Sequence, residues 1–317
     1  MFSFINFLQS ILRRIQKNKG LWFTLLTVAS VMGVLISITL INLMTTEVSH
    51  KTHIEVHRVD TVLLENIMDT KYDSLLAIGG VVALNPDVIQ NIKSKSDKSV
   101  NDLLALASET INDRVNIEPI ITRYYAADFE STLSENSKYA ELVINTTTSI
   151  TGLVVNSNGV RLIAITPIID ANKTIGAIEI SQDISTVKNQ LENLGKEFAF
   201  ILNKSQLVFM DLGTKQGNLQ DIDDKYKIFF HKYNPQFYTN IQKVNLDKLQ
   251  LEKYYVNPAY FITSEEAVNI NGKPVGLFVI GESSAEANSF VNITKNLISS
   301  VTTVALGLVI SLILFMF

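Results

Sequence analysis

ITGLVVNSNGVRLIAITPIIDANKTIGAIEISQDI, residues 150–184, is the stretch that decides the fold. It contains three segments rich in β-branched residues, a composition typical of strands. The three segments are 150–155, 160–169 and 174–181. Asn-Ser-Asn-Gly follows the first segment and Asp-Ala-Asn-Lys the second, and Gly159 can adopt the positive φ that a tight turn requires. The stretch therefore predicts an antiparallel meander of three strands.

The pattern downstream of the meander repeats in part. A helix is predicted over Ile184–Leu194, and the apolar segment Phe198–Leu202 is typical of another strand. Later, Tyr260–Thr263, a turn at Asn269–Lys273 and the segment Pro274–Ile280 repeat the order strand, turn, strand. This weak internal repeat suggests two α+β modules in tandem.

Upstream of the meander the sequence predicts helices. Glu47–Leu84 has apolar residues at close to helical spacing, so we expect one long helix with a stripe that packs on a partner helix or on its own domain. Asn85 can cap a new helix that has Pro86 at its first position and runs through Ile92. A further helix is expected over Ser99–Val115.

Two long segments near the ends of the chain carry no charge. Leu21–Thr46 exceeds the roughly 20 apolar residues that a helix needs to cross a bilayer, and Leu297–Phe317 is about as long as that minimum. Four cations and no acid precede the first segment, which favours a cytoplasmic N-terminus. We therefore expect a two-pass membrane protein that holds the intervening domain on the far side.

Composition narrows the class of function. All 31 acidic residues lie between the two apolar segments with 23 of the 27 basic ones, a formal charge of −8 that argues against a nucleic-acid partner. The chain has no cysteine, which fits an oxidising compartment. It contains no Gly-rich phosphate loop, no His-Glu-x-x-His and no Gly-x-Ser-x-Gly motif. We expect neither an enzyme nor a cofactor.

Three short patterns carry a family resemblance. They are Gly152 in the first strand, Gly-x-Arg-x-x-x-x-x-Pro at Gly159, Arg161 and Pro167, and Gly-x-x-Glu at Gly176 and Glu179. With them, the chain resembles the double Cache region, the extracytoplasmic double sensory domain of bacterial chemoreceptors and sensor histidine kinases. The resemblance implies an α+β fold: a long membrane-emerging helix and two tandem PAS-like modules with antiparallel sheets, between two transmembrane helices.

The resemblance also implies a domain order and a role. The expected order is a basic cytoplasmic N-terminus (1–20), a transmembrane helix (21–44), a helical region (45–116), a membrane-distal module (117–194), a membrane-proximal module (195–295) and a second transmembrane helix (296–317). A small molecule would bind in the distal module of a homodimer formed through the long helix, in the bacterial inner membrane. Because no kinase, cyclase or methyl-accepting region follows Phe317, we expect the sensory part of a longer receptor. The alternatives are an anchored adaptor that binds another envelope protein, and an envelope hydrolase.

Six residues are candidates for the ligand site. Arg123 and Arg161 could grip a carboxylate with the guanidinium fork, the alternative being structural ion pairs. If residues around 124 are helical, Tyr124 and Asp128 share one face and suit an amine, with Tyr125 beside them; the alternative is packing. Glu179 needs a partner such as an arginine if it is buried. The full residue set of the amino-acid-binding branch of the family is missing.

Three of the four histidines form a cluster. His50, His53 and His57 are spaced to share one helix face, as a metal site or a proton-sensitive patch would be. The alternative is a solvated face just outside the membrane. We expect no metal site here.

Overall fold

The structure is a computed structural model that describes residues 19–94, 97–114, 120–127, 135–210, 219–229 and 234–315. The chain forms two compact units. One unit is Met1–Glu55 with Ala285–Phe317, and the other is Val56–Ser284.

The described residues form an α+β structure with a long N-terminal helix and antiparallel sheets, as the sequence predicted. The helices are α1 (Lys19–Ala83), α2 (Pro86–Lys93), α3 (Asp97–Arg114), α4 (Glu135–Thr146), α5 (Ser185–Asn193), α6 (Pro235–Ile241), α7 (Leu246–Glu252), α8 (Ser284–Ala287) and α9 (Ser289–Phe315), with a 3-10 helix at Lys204–Phe209. The strands are β1 (Ile120–Ala126), β2 (Ile150–Asn156), β3 (Gly159–Asp170), β4 (Lys173–Asp183), β5 (Glu197–Asn203), β6 (Leu219–Asp221), β7 (Tyr226–Phe229), β8 (Tyr254–Val256), β9 (Tyr260–Val268) and β10 (Pro274–Ser283).

Helix α1 contains the first apolar segment. Among the residues described, one helix is long and apolar enough to cross a membrane by length and composition, and its qualifying part is Ser30–Ala83 near the N-terminus. Apolar side chains such as Val31, Met32 and Leu35 are exposed along it, at 54 to 55% of their surface. Exposed apolar rows of this kind suit contact with lipid. Residues 297–315 of the second apolar segment are also helical, in α9.

Beyond residue 55, α1 packs with its apolar stripe on its own domain, one of the two alternatives that the sequence left open. Leu64, Ile67 and Leu75 are at most 8% exposed and belong to the main hydrophobic core. Burial of such side chains contributes about 1.5 to 3 kcal/mol each relative to exposure. Val59, which the sequence placed on the same stripe, is 49% exposed. Asn85 caps α2 as predicted, because its side chain accepts a hydrogen bond from the backbone N–H of Asp87 at 2.9 Å.

The meander of residues 150–184 forms as predicted and lies in a four-stranded antiparallel sheet, the first sheet, with strand order β1-β4-β3-β2. Gly159 adopts φ 99° in the first turn. In the second turn, Ala171 and Asn172 have φ values of 46° and 65°. The fourth strand, β1, pairs with β4 so that Arg123 lies opposite Glu179.

Strand β1 differs from the sequence-based interpretation. A helix around Tyr124 and Asp128 would place these residues on one face, but residues 120–126 are a strand, in which neighbouring side chains point to opposite faces. The helical interpretation is therefore wrong for this segment, and Asp128 lies outside the described residues. Helices α4, α6 and α7 were not predicted either.

The second sheet has six antiparallel strands in the order β6-β7-β5-β10-β9-β8. Its segment β5-β10-β9-β8 has the same succession of first, last, third and second strand as the first sheet. A glycine stands near the start of each last strand, Gly176 in β4 and Gly276 in β10. A Cβ at Gly176 would lie 2.7 Å from the carbonyl oxygen of Tyr125, and one at Gly276 would lie 2.1 Å from that of Ile201. Both glycines allow the neighbouring backbone to approach.

We predict that Gly276→Ala destabilises the protein, because the new methyl group would overlap the β5 backbone, which cannot rotate away. Overpacking of this kind costs about 1 to 3 kcal/mol, a loss of several degrees in Tm for a domain of this size. Circular dichroism of the full chain in detergent micelles measures this. Gly80→Ala is the control, since nothing lies within 4 Å of a Cβ at that helical position. Equal melting temperatures for the two variants would contradict the prediction.

Candidate functional site

The candidate site lies on one face of the first sheet, under α4. Alternate side chains of the strands pack there against three buried residues of the helix, Tyr139, Ala140 and Val143. The strand residues in this cluster are Tyr125, Val154, Ile163, Ile165 and Ala177. The opposite face packs into the main core that α1 and α3 share. Successive residues along a strand therefore alternate between the face under α4 and the face toward the main core.

Four of the six residues predicted from the sequence meet on the face under α4. They are Arg123 and Tyr125 in β1, Arg161 in β3 and Glu179 in β4, positioned by the pairing of Arg123 with Glu179 and of Ile165 with Glu179. Glu179 is 4% exposed and Arg161 is 6% exposed, whereas Arg123 is exposed. Polar side chains from three strands therefore converge on this face, with Glu179 and Arg161 buried and Arg123 at its edge in contact with solvent.

Glu179 obtains the partner that burial requires. The Tyr125 hydroxyl donates a hydrogen bond to its Oε2 at 2.7 Å, the distance of a strong bond to a carboxylate. Burial, reinforced by the Glu179 charge, raises the pKa of Tyr125, so the hydroxyl stays protonated and can donate. Burial would lower the pKa of Arg123, but its hydrogen bond with Tyr125 and the nearby charge of Glu179 raise it on balance. Arg123, Tyr125 and Glu179 form one linked group.

Arg161 is held by the neighbouring strand. Its Nε donates to the Ser181 hydroxyl at 3.1 Å and its Nη2 to the Ser181 carbonyl at 3.0 Å. Burial lowers the pKa of Arg161, and the carboxylates of Asp183 and Glu179 offset part of that effect. Two donors of Arg161 already bind Ser181, so this side chain is suited to holding β3 and β4 in position. Arg123 is more exposed and is better placed to contact a ligand.

Tyr124 does not join the other candidates. It lies on the opposite face, where it packs against the main core, and a Cβ at Gly176 would come within 2.7 Å of its ring. Sequence analysis missed Ser181, which fixes Arg161, and Tyr139, which comes from the unpredicted α4. The alternation of Glu179, Ser181 and Asp183 along β4 was the available indication that this face carries polar groups.

A second buried polar cluster joins α1 to the second sheet. The Lys196 ammonium lies 2.9 Å from Asp60 Oδ1 and also pairs with Glu282, so two carboxylates share one cation. Asp60 is 1% exposed, and the Thr263 hydroxyl lies 3.4 Å from its Oδ2. Burial raises the pKa of Asp60 although Lys196 offsets part of that effect. Burial would lower the pKa of Lys196, but Glu282 and Asp60 raise it on balance.

The predicted histidine cluster is divided between different partners. His50 is exposed, and His53 Nε2 lies 2.8 Å from the Asn288 side-chain oxygen. His57 Nε2 lies 3.2 Å from a carboxylate oxygen of Glu265. Within the part of the chain that the structure describes, no group of three His, Asp or Glu residues is arranged to hold a metal ion.

We predict that Asp60→Asn stabilises the protein at neutral pH and has a smaller effect in acid. A raised pKa in the folded state means that folding disfavours the Asp60 carboxylate. The wild type therefore bears this cost above the raised pKa and recovers it as the pH falls toward the unfolded value of about 3.9. Melting temperatures of full-length chains between pH 4 and pH 8 test the difference. Asp69→Asn, an exposed position on the same helix, is the control. A stabilisation that does not change with pH would contradict this assignment.

Comparisons with known proteins find similarity among solved structures. No family model and no curated protein sequence matches the chain. The sensor domain of the Vibrio cholerae histidine kinase DctB matches at 12% identity and a TM-score of 0.41, over 73% of this chain and 96% of that one. The ligand-binding domain of the Pseudomonas fluorescens chemoreceptor CtaA, in complex with L-isoleucine, matches at 13% and 0.37, over 76% and 95%. The Vibrio cholerae LuxQ periplasmic domain matches at 10% and 0.43, over 71% and 97%. These three structures are the sensor domain of a histidine kinase, the ligand-binding domain of a chemoreceptor and a periplasmic domain.

Proposed function

We propose that this chain is the sensing region of a bacterial transmembrane receptor of the chemoreceptor or sensor kinase type, without catalytic activity of its own. The observation that carries the proposal is the convergence of Arg123, Tyr125, Arg161 and Glu179 under α4. Ionisable groups with perturbed pKa values that lie close together are typical of functional sites. The first sheet would be the membrane-distal module.

The ligand class follows from the exposed member of the set. Arg123 is exposed, and its guanidinium presents several donors in a planar fork. Glu179 and Tyr125 hold it from the inner side. A small organic acid whose carboxylate accepts from the outer donors of Arg123 is the ligand that fits this arrangement. Its entry beneath α4 would shift the packing of the domain, and displacement of the membrane helices would carry that change across the bilayer.

The proposed membrane arrangement has two passes. The N-terminal cations would stay in the cytoplasm, α1 and α9 would cross the inner membrane, and residues 45–296 would be outside. A homodimer along the outward side of α1 belongs to this proposal, since Val59 and Val62 are 49% and 42% exposed there. Such contacts would let two copies respond together.

We predict that an organic acid raises the Tm of the full chain in a thermal-shift screen that also contains amines and divalent metals. At 100 times its Kd, a ligand stabilises by about 2.7 kcal/mol. Arg123→Met should abolish the shift, Arg123→Lys should weaken it, and the control Arg58→Met, on the exposed side of α1, should leave it unchanged. If no compound shifts the Tm, the adaptor alternative gains and a small-molecule role is lost. If only amines or metals do so, the carboxylate assignment is wrong.

We predict that labelling of single introduced cysteines will show the two-pass topology. The chain has no cysteine of its own, so each introduced cysteine is the only site that a maleimide can label. Lys225→Cys, at a side chain that is 63% exposed, should react in intact cells with a maleimide that reaches the periplasm but does not cross the inner membrane. Lys17→Cys should react only after the inner membrane is opened. The reverse pattern would place the domain in the cytosol and remove the proposed sensing of external conditions.

A further inference from the structure

The turn between β9 and β10 contacts the first sheet directly. Asn269 forms an isolated parallel bridge with Leu153 of β2, and the backbone N–H of Ile270 donates to the Leu153 carbonyl at 3.3 Å. The turn is well ordered by its own bonds, because the Asn269 side-chain oxygen accepts from the backbone N–H groups of Asn271 and Lys273, each at 3.0 Å. We call residues 269–273 the hairpin tip.

The hairpin tip reaches the residues that surround the candidate site. Ile270 packs against the cluster that contains Tyr125 and Tyr139. A Cβ at Gly152 would lie 2.4 Å from Ile270 Cγ1, so only glycine leaves room for this side chain. The Asn271 side-chain nitrogen donates to the Tyr139 hydroxyl at 2.8 Å. The tip thus touches both β2 and the helix that covers the site.

These contacts form a short physical chain. The Glu179 carboxylate holds Tyr125, which packs in one cluster with Tyr139 of α4, and Tyr139 and Ile270 connect that cluster to the hairpin tip. The tip joins β9 to β10, the two strands that pair over most of the length of β10 in the second sheet. A movement of α4 would therefore reach the second sheet through side chains as well as through the chain itself.

We propose that the hairpin tip is the coupling element through which the state of the site under α4 reaches the second sheet. This inference rests on the proposed function, since it assigns the route by which occupancy of that site is transmitted. Ile270 supplies the packing contact, and Asn271 keeps α4 in position through Tyr139. Removal of the Ile270 contact should uncouple the two sheets, and removal of the Asn271 contact should weaken their coupling, without disrupting the site itself.

The test perturbs the site by substitution, so it needs no identified ligand. Tyr125→Phe removes the hydroxyl that donates a hydrogen bond to Glu179 and keeps the aromatic ring. Hydrogen–deuterium exchange of the full chain in micelles should then change in α4 and also in β9 and β10, by about fivefold, the lower end of the usual coupling between sites. In an Ile270→Ala background, Tyr125→Phe should still change α4 but leave β9 and β10 unchanged.

Controls separate coupling from a general loss of stability. Ile222→Ala removes the same kind of side chain, but from a separate hydrophobic cluster that includes Ile201 and Leu277 of the second sheet. This variant should leave the response of β9 and β10 intact. Asn271→Ala should reduce the response, and Asn271→Asp should restore it, because a carboxylate can accept a bond from the Tyr139 hydroxyl.

Either of two results would overturn the proposal. The first is a response of β9 and β10 to Tyr125→Phe that persists at full size in the Ile270→Ala background or in the Asn271→Ala background. The second is an unchanged hydrogen–deuterium exchange in β9 and β10 when Tyr125→Phe is introduced into a chain with the native hairpin tip. Neither result depends on whether organic acids bind, so failure of the coupling and failure of the proposed ligand class can be told apart.

Discussion

A carboxylate that leaves water must receive hydrogen bonds in return, and this requirement at Glu179 organises the first sheet. Tyr125 donates to it at 2.7 Å, and Arg123 stands opposite it in the register of β1 and β4. A slip of one residue in β4 would turn Glu179 toward the apolar face that packs in the main core, and a slip in β1 would turn Arg123 and Tyr125 toward it. The polar set therefore specifies the register of the strands, and α4 then covers the face that the register has made polar.

The same requirement acts on α1. Asp60 is almost fully buried and is matched by Lys196, which is 136 positions away in sequence and which Glu282 also needs. Rotation of the helix by one residue would carry Asp60 away from Lys196 and take Leu64 out of the core. With two acids and one ammonium the cluster is not fully compensated. We therefore regard it as specifying the rotation of α1 more than as stabilising the fold.

The elements that sequence analysis found are those with local physical causes. Gly159 has a positive φ because a short turn needs one, and Asn85 caps α2 because its side chain replaces a missing backbone acceptor. The meander combined such turns with β-branched strands and was predicted closely. Strand β1 has no hairpin partner, since it pairs with β4 from a distance in sequence, and its residues were given a conditional helix.

The residue types of the site were predictable from the sequence, but the face of the sheet on which each residue lies was not. Arg123, Tyr125, Arg161 and Glu179 were chosen for their chemistry, and the sheet brings them together. Tyr124 was chosen with them and lies on the other face, because assignment of alternate residues needs the correct secondary structure first. The Asp60, Lys196 and Glu282 cluster depends on three distant segments, so neither spacing nor composition indicated it.

The contact between the hairpin tip and the first sheet is small, and the proposed sensing role requires a small contact there. Ile270 occupies a space that only a glycine at position 152 leaves open, so the two sheets meet without a bulky interface at this point. An interaction of about 1 kcal/mol changes a two-state ratio about fivefold, whereas a rigid, extensive interface would hold both sheets in one arrangement. A sensor would need two arrangements of similar free energy, and a single well-packed side chain with two hydrogen bonds beside it is a contact small enough to allow both. The glycine is therefore as much a part of the proposed coupling as the isoleucine, because any larger residue at 152 would hold the tip away from the cluster around Tyr125.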